Sequence, residues 1–341
     1  METHSIENLK LDPWSASSLL QKAIRRGEPE LAKTAANTFF RYRGAAIWRR
    51  LCTNAVEDIG IADVALLQEV VRLSADRALR AALGSDAELI DHICERMALA
   101  VKDRSADYLY CAAIKLEAAK EEAEHLRSHP CESVVALAAD ATVPIIQRAN
   151  AALIAVCDAK LKLIPRRVEA FLVAFPTRHA SLEDAVLGLA RMGVHPFCLM
   201  LPLLWSRFWQ DGLPTKIVDD VIPVPEFVRS IPLYTFDKHT FVGKRAIERF
   251  ALENDELRAT LNRWVAIQRR TEVAGMAAFY TDAAPVAIRL DWATGNLLAK
   301  MGFMADMMEA GCPLSGAQSV LECSKSNLDH LNRLRREASA A

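Results

Sequence analysis

A chain of 341 residues that is 52% apolar and 25% charged is neither disordered, fibrous nor collagen-like. Its 42 Lys and Arg nearly cancel 43 Asp and Glu, so a net charge of -1 gives no general attraction to polyanions, and any nucleic-acid contact has to come from local basic faces. With only 13 Gly and 14 Pro, the composition argues against an all-β architecture and for long helices with short connections, enough for about two ordinary domains.

The expected fold is all-α, a multi-helix bundle. Three closely spaced helical patterns come first, at about 15–26, 29–42 and 45–58. Gly27 closes the first, Pro29 stands where a first-turn proline is tolerated, Gly44 separates the second from the third, and Gly60 caps the third. Asp63 is placed to cap a long fourth helix through about Leu83, with Val64, Leu67, Val71 and Leu79 on one stripe. Ser85 with Glu88 fits a capping box for a helix through about Val101, and a further helix runs from Ser105 to about Arg127, stopping at Pro130. This gives an N-terminal extension over 1–13 and a first helical domain over 14–130. In a second helical domain, 131–341, helices are expected at about 145–163, 166–175, 182–192 and 196–209. The proline-rich stretch 211–232 reads as a loop, and helices follow at about 242–254, 256–274, 285–301 and 326–338.

Met1 to Asp12 lacks the pattern of a signal peptide, and the longest apolar run, Pro196 to Trp205, contains Pro202 and is too short to cross a bilayer. A soluble, cytoplasmic protein without membrane association is expected. Eight cysteines with no CxxC pair read as reduced core thiols. No GxGxxG, GxSxG or HExxH occurs, and Gly243-Lys244 is followed by Arg245 where a P-loop needs Ser or Thr. No cofactor is expected. His125, His129 and Cys131 have a spacing that would bring two imidazoles and a thiolate to one ion. No fourth ligand is near, and histidines at a helix C-terminus are explained by the macrodipole, so no metal site is expected either.

The densest chemistry lies between Pro232 and Ala246. Asp237, Lys238, His239, Thr240, Lys244 and Arg245 crowd an expected helix start, where free backbone N–H groups and cations suit a phosphate or a nucleic-acid backbone. In an enzyme acting on a phosphate-containing or nucleic-acid substrate, Asp237 and His239 would be the general acid/base pair, beside Lys244. The plain reading makes Asp237 or Thr240 a helix cap and leaves Lys244 and Arg245 solvated. Other basic clusters are Arg25-Arg26, Arg41 with Arg43, Arg49-Arg50, Arg166-Arg167, Arg269-Arg270, and Arg333, Arg335 and Arg336. Three of them share the first fifty residues with Tyr42 and Trp48, which would set aromatic stacking beside phosphate contacts. Trp205, Phe208 and Trp209 lie in an apolar run and read as core.

The first third carries a resemblance. The string from Ser17 to Arg26, SSLLQKAIRR, is followed by AAIWRRL from Ala45 to Leu51 and AVEDIGIAD from Ala55 to Asp63. In order and spacing these resemble the region after the ATPase module of the replication-associated recombination protein A family, clamp-loader-like AAA+ proteins. Met97 to Tyr110, MALAVKDRSADYLY, looks like a degenerate form of a later family string, with the proline of its PKSN element lost. The resemblance covers about 14–115. It implies an all-helical collar that assembles as a homo-oligomer. Neither Walker motifs nor an arginine finger accompany it, so ATP-driven remodelling is not implied.

Within the matched strings, Glu57 and Asp58 stand at a helix C-terminus, where the macrodipole disfavours them, and a partner such as Arg49, Arg50 or the N-terminus of another helix is expected. The leading expectation is a non-catalytic DNA-metabolism protein of replication or recombination. It would bind DNA, single-stranded or forked, through Arg25, Arg26, Arg49, Arg50, Lys238, Lys244 and Arg245. A homo-oligomer is expected, with single-stranded DNA-binding protein or an AAA+ protein as partners. The alternatives are the enzyme just described and a pure protein-interaction scaffold.

Overall fold

The computed structural model describes residues 11–175, 177–212 and 215–340. The first ten residues of the expected extension, two residues of the expected 211–232 loop and the last residue of the chain lie outside the described ones. The described residues form an all-α multi-helix bundle with four short strands, and no described helix is long and apolar enough to cross a membrane.

Helix α1 (Pro13–Arg26) begins where the Asp12 carboxylate accepts the Trp14 and Ser15 N–H groups, and it ends at Gly27 in the left-handed region, φ 72°. Leu19, Leu20, Ala23 and Ile24 are fully buried. Helix α2 (Pro29–Arg43) folds back on α1, and α6 (Asp86–Leu99), opened by the Ser85/Glu88 capping box, packs on α2. Between them α3 (Ala46–Asn54) runs without a break into a π-helical turn, Ala55–Ile59, and a 3-10 turn, Gly60–Asp63. Gly60 is needed twice over. Its φ is 53°, and a Cβ there would stand 2.5 Å from the Asp103 carbonyl oxygen.

Several long helices expected from periodicity are broken. Asp76, in extended backbone, ends α4 (Val64–Ala75) and caps α5 (Arg77–Leu83) by accepting the Leu79 N–H. Leu116 divides 105–127 into α7 (Ser105–Lys115) and α8 (Glu117–Leu126). Helix α9 (Cys131–Ala139) was not anticipated, and α10 (Ile145–Val156) stops short where the Asp158 carboxylate accepts the Lys160 and Lys162 N–H groups in a tight turn. Helices α11 (Pro165–Ala174), α12 (Ala180–Arg191) and α13 (Met200–Asp211) follow.

The 211–232 stretch is more than a loop. Strand β1 (Lys216–Asp219) pairs antiparallel with β4 (Ile288–Asp291), Lys216 opposite Asp291, and β2 (Phe227–Val228) forms a minimal hairpin with β3 (Ile231–Pro232). Then come α14 (Phe241–Glu253), α15 (Asp255–Trp264) and α16 (Arg270–Ala278), a second π turn at Phe279–Ala283, and α17 (Ala293–Ala310), α18 (Leu314–Ser326) and α19 (Leu328–Ala340). Helix α18 lies outside the expected helices and contains Gly316, which does not break it. Gly316 is instead the contact point with Trp264, whose Cγ would be 2.5 Å from a Cβ there.

Two apolar clusters hold the molecule. The first draws on helices from α1 to α13 and takes in Leu233, Phe236, Trp292 and Leu298; the second gathers α14 to α19, and Val242 touches both. Two core assignments need correcting. Trp209, at the end of α13, is 66% exposed, and Cys131 is exposed while Cys52, Cys94 and Cys198 are fully buried.

Candidate functional site

Arg25 and Arg26 are buried, 1% and 6% exposed, which corrects their expected place among solvent-facing DNA contacts. Helix α1 is covered by later parts of the chain, and its cations are used internally. Arg25 donates from Nε to Asp58 Oδ1 at 2.6 Å, from Nη2 to Glu57, and from Nη1 to the Ala283 carbonyl at 3.2 Å. Arg104 joins the same carboxylates, with Nε 3.2 Å from Asp58 Oδ1 and Nη2 donating to Asp107 at 2.6 Å. The direct bonds to Glu57 and Asp58 thus come from Arg25 and Arg104 rather than from the expected Arg49 or Arg50. Arg50, half-buried, acts at one remove by donating to Gln21, whose amide donates to Asp58, and exposed Arg49 donates to the Gly193 carbonyl.

The two π turns face one another across this junction. Arg26, Arg25 and Arg104 donate to three successive carbonyls, those of Asp282, Ala283 and Ala284, where the second π turn ends and its carbonyls lack helical partners. The Asp282 carboxylate is held from the other side by Arg335 through two bonds. Short π-helical insertions recur at functional sites, and here both supply the charged contacts.

Arg25 and Arg104 are the guanidiniums in direct contact with Glu57, Asp58 and Asp107, and the Arg50 charge lies near Glu57 without bonding it. Burial would raise Glu57, but Arg25, Arg104 and Arg50 beside it hold it well below the usual carboxylate range. Burial together with the Glu57 charge pushes Asp107 up to about 7 despite the pull of Arg104.

Next to the junction, Asp237 is fully buried. Lys22 Nζ lies 2.9 Å from its Oδ2, and His239 contributes a backbone N–H to Oδ1 and Nδ1 to Oδ2, both at 2.9 Å. Burial raises the carboxyl, but Lys22 and His239 outweigh it and hold Asp237 well below its ordinary value. Burial in turn lowers Lys22. Phe279 links the two clusters, with Arg25 Cζ 5.7 Å and Lys238 Nζ 5.2 Å from its ring centre and the His239 ring edge-on at 5.8 Å.

The cap of α14 is Thr240, whose Oγ1 accepts the Gly243 N–H; Asp237 does not cap it. Gly243 is where the Asp237 turn meets the helix, since a Cβ there would lie 2.0 Å from the Asp237 carbonyl oxygen. The imidazole of His239 remains 61% exposed, so the Asp237–His239 pair presents an oriented ring to solvent. Lys244 and Arg245 are exposed and half-buried Lys238 is turned to Phe279. Lys238 and Lys244 share a groove of about 530 Å³ with Arg269, but Glu248, Glu272 and Glu309 line it too, which is not the charge balance of a phosphate cradle. His125 and His129 meet edge to face at 4.7 Å, and among the described residues no group of His, Cys, Asp and Glu is arranged to hold a metal ion.

Reading the residues alone missed Lys22 and Arg104. For Lys22 no signal was present: 15–26 has a polar face of Ser15, Ser18, Gln21, Lys22, Arg25 and Arg26, which reads as solvated until later parts of the chain cover it. Compared with known protein families, with curated proteins and with solved structures, the chain matches none of them.

Proposed function

We propose that this protein is a non-catalytic component of DNA replication or recombination, a collar-type helical scaffold that self-assembles and binds DNA through exposed basic residues, with single-stranded DNA-binding protein or an AAA+ protein as partners. One observation carries this reading. Three of the four strings that resemble the collar of the replication-associated recombination protein A family contribute Arg25, Asp58 and Arg104, and these converge in one buried junction. Charges spent on architecture in this way favour a scaffold over an active centre. DNA contact then falls to Arg49, Lys244 and Arg245, the exposed members of the basic set, with Arg50 and Lys238 behind them.

The test is binding of labelled single-stranded and forked oligonucleotides across a salt series. Arg49→Ala and the double replacement Lys244→Ala/Arg245→Ala should weaken binding, and each lost phosphate contact should flatten the log–log salt slope by about 0.7–0.9. Absence of binding at low salt removes the DNA-binding part, and a monomer in sedimentation removes self-assembly. The oriented Asp237–His239 pair favours a second reading, an enzyme acting on a phosphate-containing substrate. It requires that His239→Ala abolish turnover without loss of folding.

A further inference from the structure

At the end of the molecule where α1 begins and α2 stops, large aromatic side chains stand in solvent. Trp14 is 66% exposed and Tyr42 61%, and from later in the chain Phe241 is 74% and Phe227 50% exposed. Two of them carry an arginine. Arg43 Cζ lies 5.8 Å from the centre of the Trp14 ring, and Arg245 Cζ 5.8 Å from that of Phe241.

The chain neighbours of both rings, Ser15 and Val242, line one groove of about 290 Å³. Ser15, next to Trp14, forms part of one wall, and Val242, next to Phe241, part of another, over an apolar floor that includes Leu11 and Phe236. Arg229 lines it as well, from the two-residue turn between β2 and β3. Arg229 and Ser230 have φ values of 48° and 66°, the left-handed conformation that such turns normally give to Asn and Gly. Side chains held in that region mark strain, and strain of this kind gathers where function requires it.

The lining itself holds one carboxylate, Asp12, and one guanidinium, Arg229. The Asp12 carboxylate is occupied by the N–H groups of α1, and that of Glu226 by Asn332 and Arg336. Among the described residues, Arg43, Arg229 and Arg245 have no carboxylate within ion-pair distance.

We propose that this groove binds a segment of single-stranded nucleic acid, with bases stacked on Trp14 and Phe241 and phosphates met by Arg43, Arg229 and Arg245. The inference rests on the DNA-binding reading above and assigns it a place. An exposed ring is a platform for any base, because every base has a π-face, and a guanidinium beside it is positioned for the adjoining phosphate. A duplex gains little from such platforms, since its bases are already stacked on one another. Two exposed, arginine-bearing rings, each one residue away from the lining of one groove, therefore fit an unpaired strand.

The experiment measures fluorescence anisotropy of a labelled oligothymidine at low salt with the intact chain. Trp14→Ala and Phe241→Ala should each weaken binding roughly five- to hundredfold, the range for losing one stacked base. Trp14→Phe should restore most of it, and Arg43→Ala/Arg245→Ala should weaken binding and flatten the salt slope. A matching duplex should bind less tightly than the single strand. If wild type binds the oligonucleotide but Trp14→Ala and Phe241→Ala bind as well as wild type, the groove is overturned while DNA binding stands. If wild type does not bind at low salt, DNA binding itself is lost. Capture of a labelled Glu- and Phe-rich acidic peptide in place of the oligonucleotide would assign the surface to a protein partner and overturn the inference.

Discussion

The same residue type does opposite work in two parts of this protein. In the ionic junction Arg25 and Arg104 are buried among carboxylates and terminal carbonyls; at the groove Arg43 and Arg245 lie over exposed rings with no described carboxylate near them. Nothing in the local sequence separates Arg25-Arg26 from Arg41 and Arg43. The difference arises from what the rest of the chain brings against each helix. Basic clusters therefore become binding candidates only once internal partners have claimed their share, which here removes Arg25 and Arg26 and leaves the groove arginines.

The largest effect that would test this contrast comes from the junction. Asp58→Ala removes the carboxylate oxygen that the Nε groups of Arg25 and Arg104 share and should cost about 3–5 kcal/mol, as removal of one partner from a buried ion pair does. Arg43→Ala, by contrast, should stay within about 0.5 kcal/mol of wild type in chemical denaturation. Equal losses for the two would erase the contrast. A middle-sized effect is expected at the joint between the junction and α14. Gly243→Ala forces a methyl group into the Asp237 carbonyl and should destabilise by about 1–3 kcal/mol while disturbing the His239 contact, visible as changed imidazole chemical shifts by NMR.

The smallest and most diagnostic effect is in pH dependence. Asp107, raised from an ordinary value of 3.8 to about 7, stays protonated in the folded chain across that interval while the unfolded chain ionises. The folded state then holds more protons, so this residue lowers stability as pH rises from roughly 4 to 7, and Asp107→Asn should flatten that slope. Asp237 and Glu57 act in the opposite sense. Both are depressed, so their contribution is present above the ordinary carboxylate range and is lost as pH falls below it. Groove residues should contribute to neither limb, and a pH slope altered by Arg43→Ala would contradict the separation of the two regions.

What was legible in the sequence is what neighbouring residues decide. Asp63, Ser85 with Glu88, Gly27 and Gly60 announced helix ends through local hydrogen bonds and backbone freedom, and all four act so in the fold. The break at Leu116 had no such signal. The crowding of 237–245 pointed to the Asp237–His239 contact, two residues apart, but not to Lys22, which meets Asp237 only through tertiary packing. The groove was half visible. Tyr42 and the first basic clusters suggested stacking beside phosphates, yet Trp48, the tryptophan singled out with them, is 2% exposed with Arg80 over its ring, and Trp14 takes that place on the surface.

The capping of 282–284 by Arg26, Arg25 and Arg104 also sets an order of events during synthesis. The Arg25 side chain precedes the carbonyl it caps by 258 residues. Helix α1 therefore emerges from the ribosome long before these carbonyls exist; Glu57 and Asp58 reach Arg25 early, but the donors that cap 282–284 stay hydrated or shielded until the second π turn is made. Closing so distant a contact is slow compared with forming the helices themselves. These capping contacts should be among the last parts of the molecule to assemble, and a nascent chain stalled ahead of residue 282 should leave α1 open to proteases that the finished protein resists.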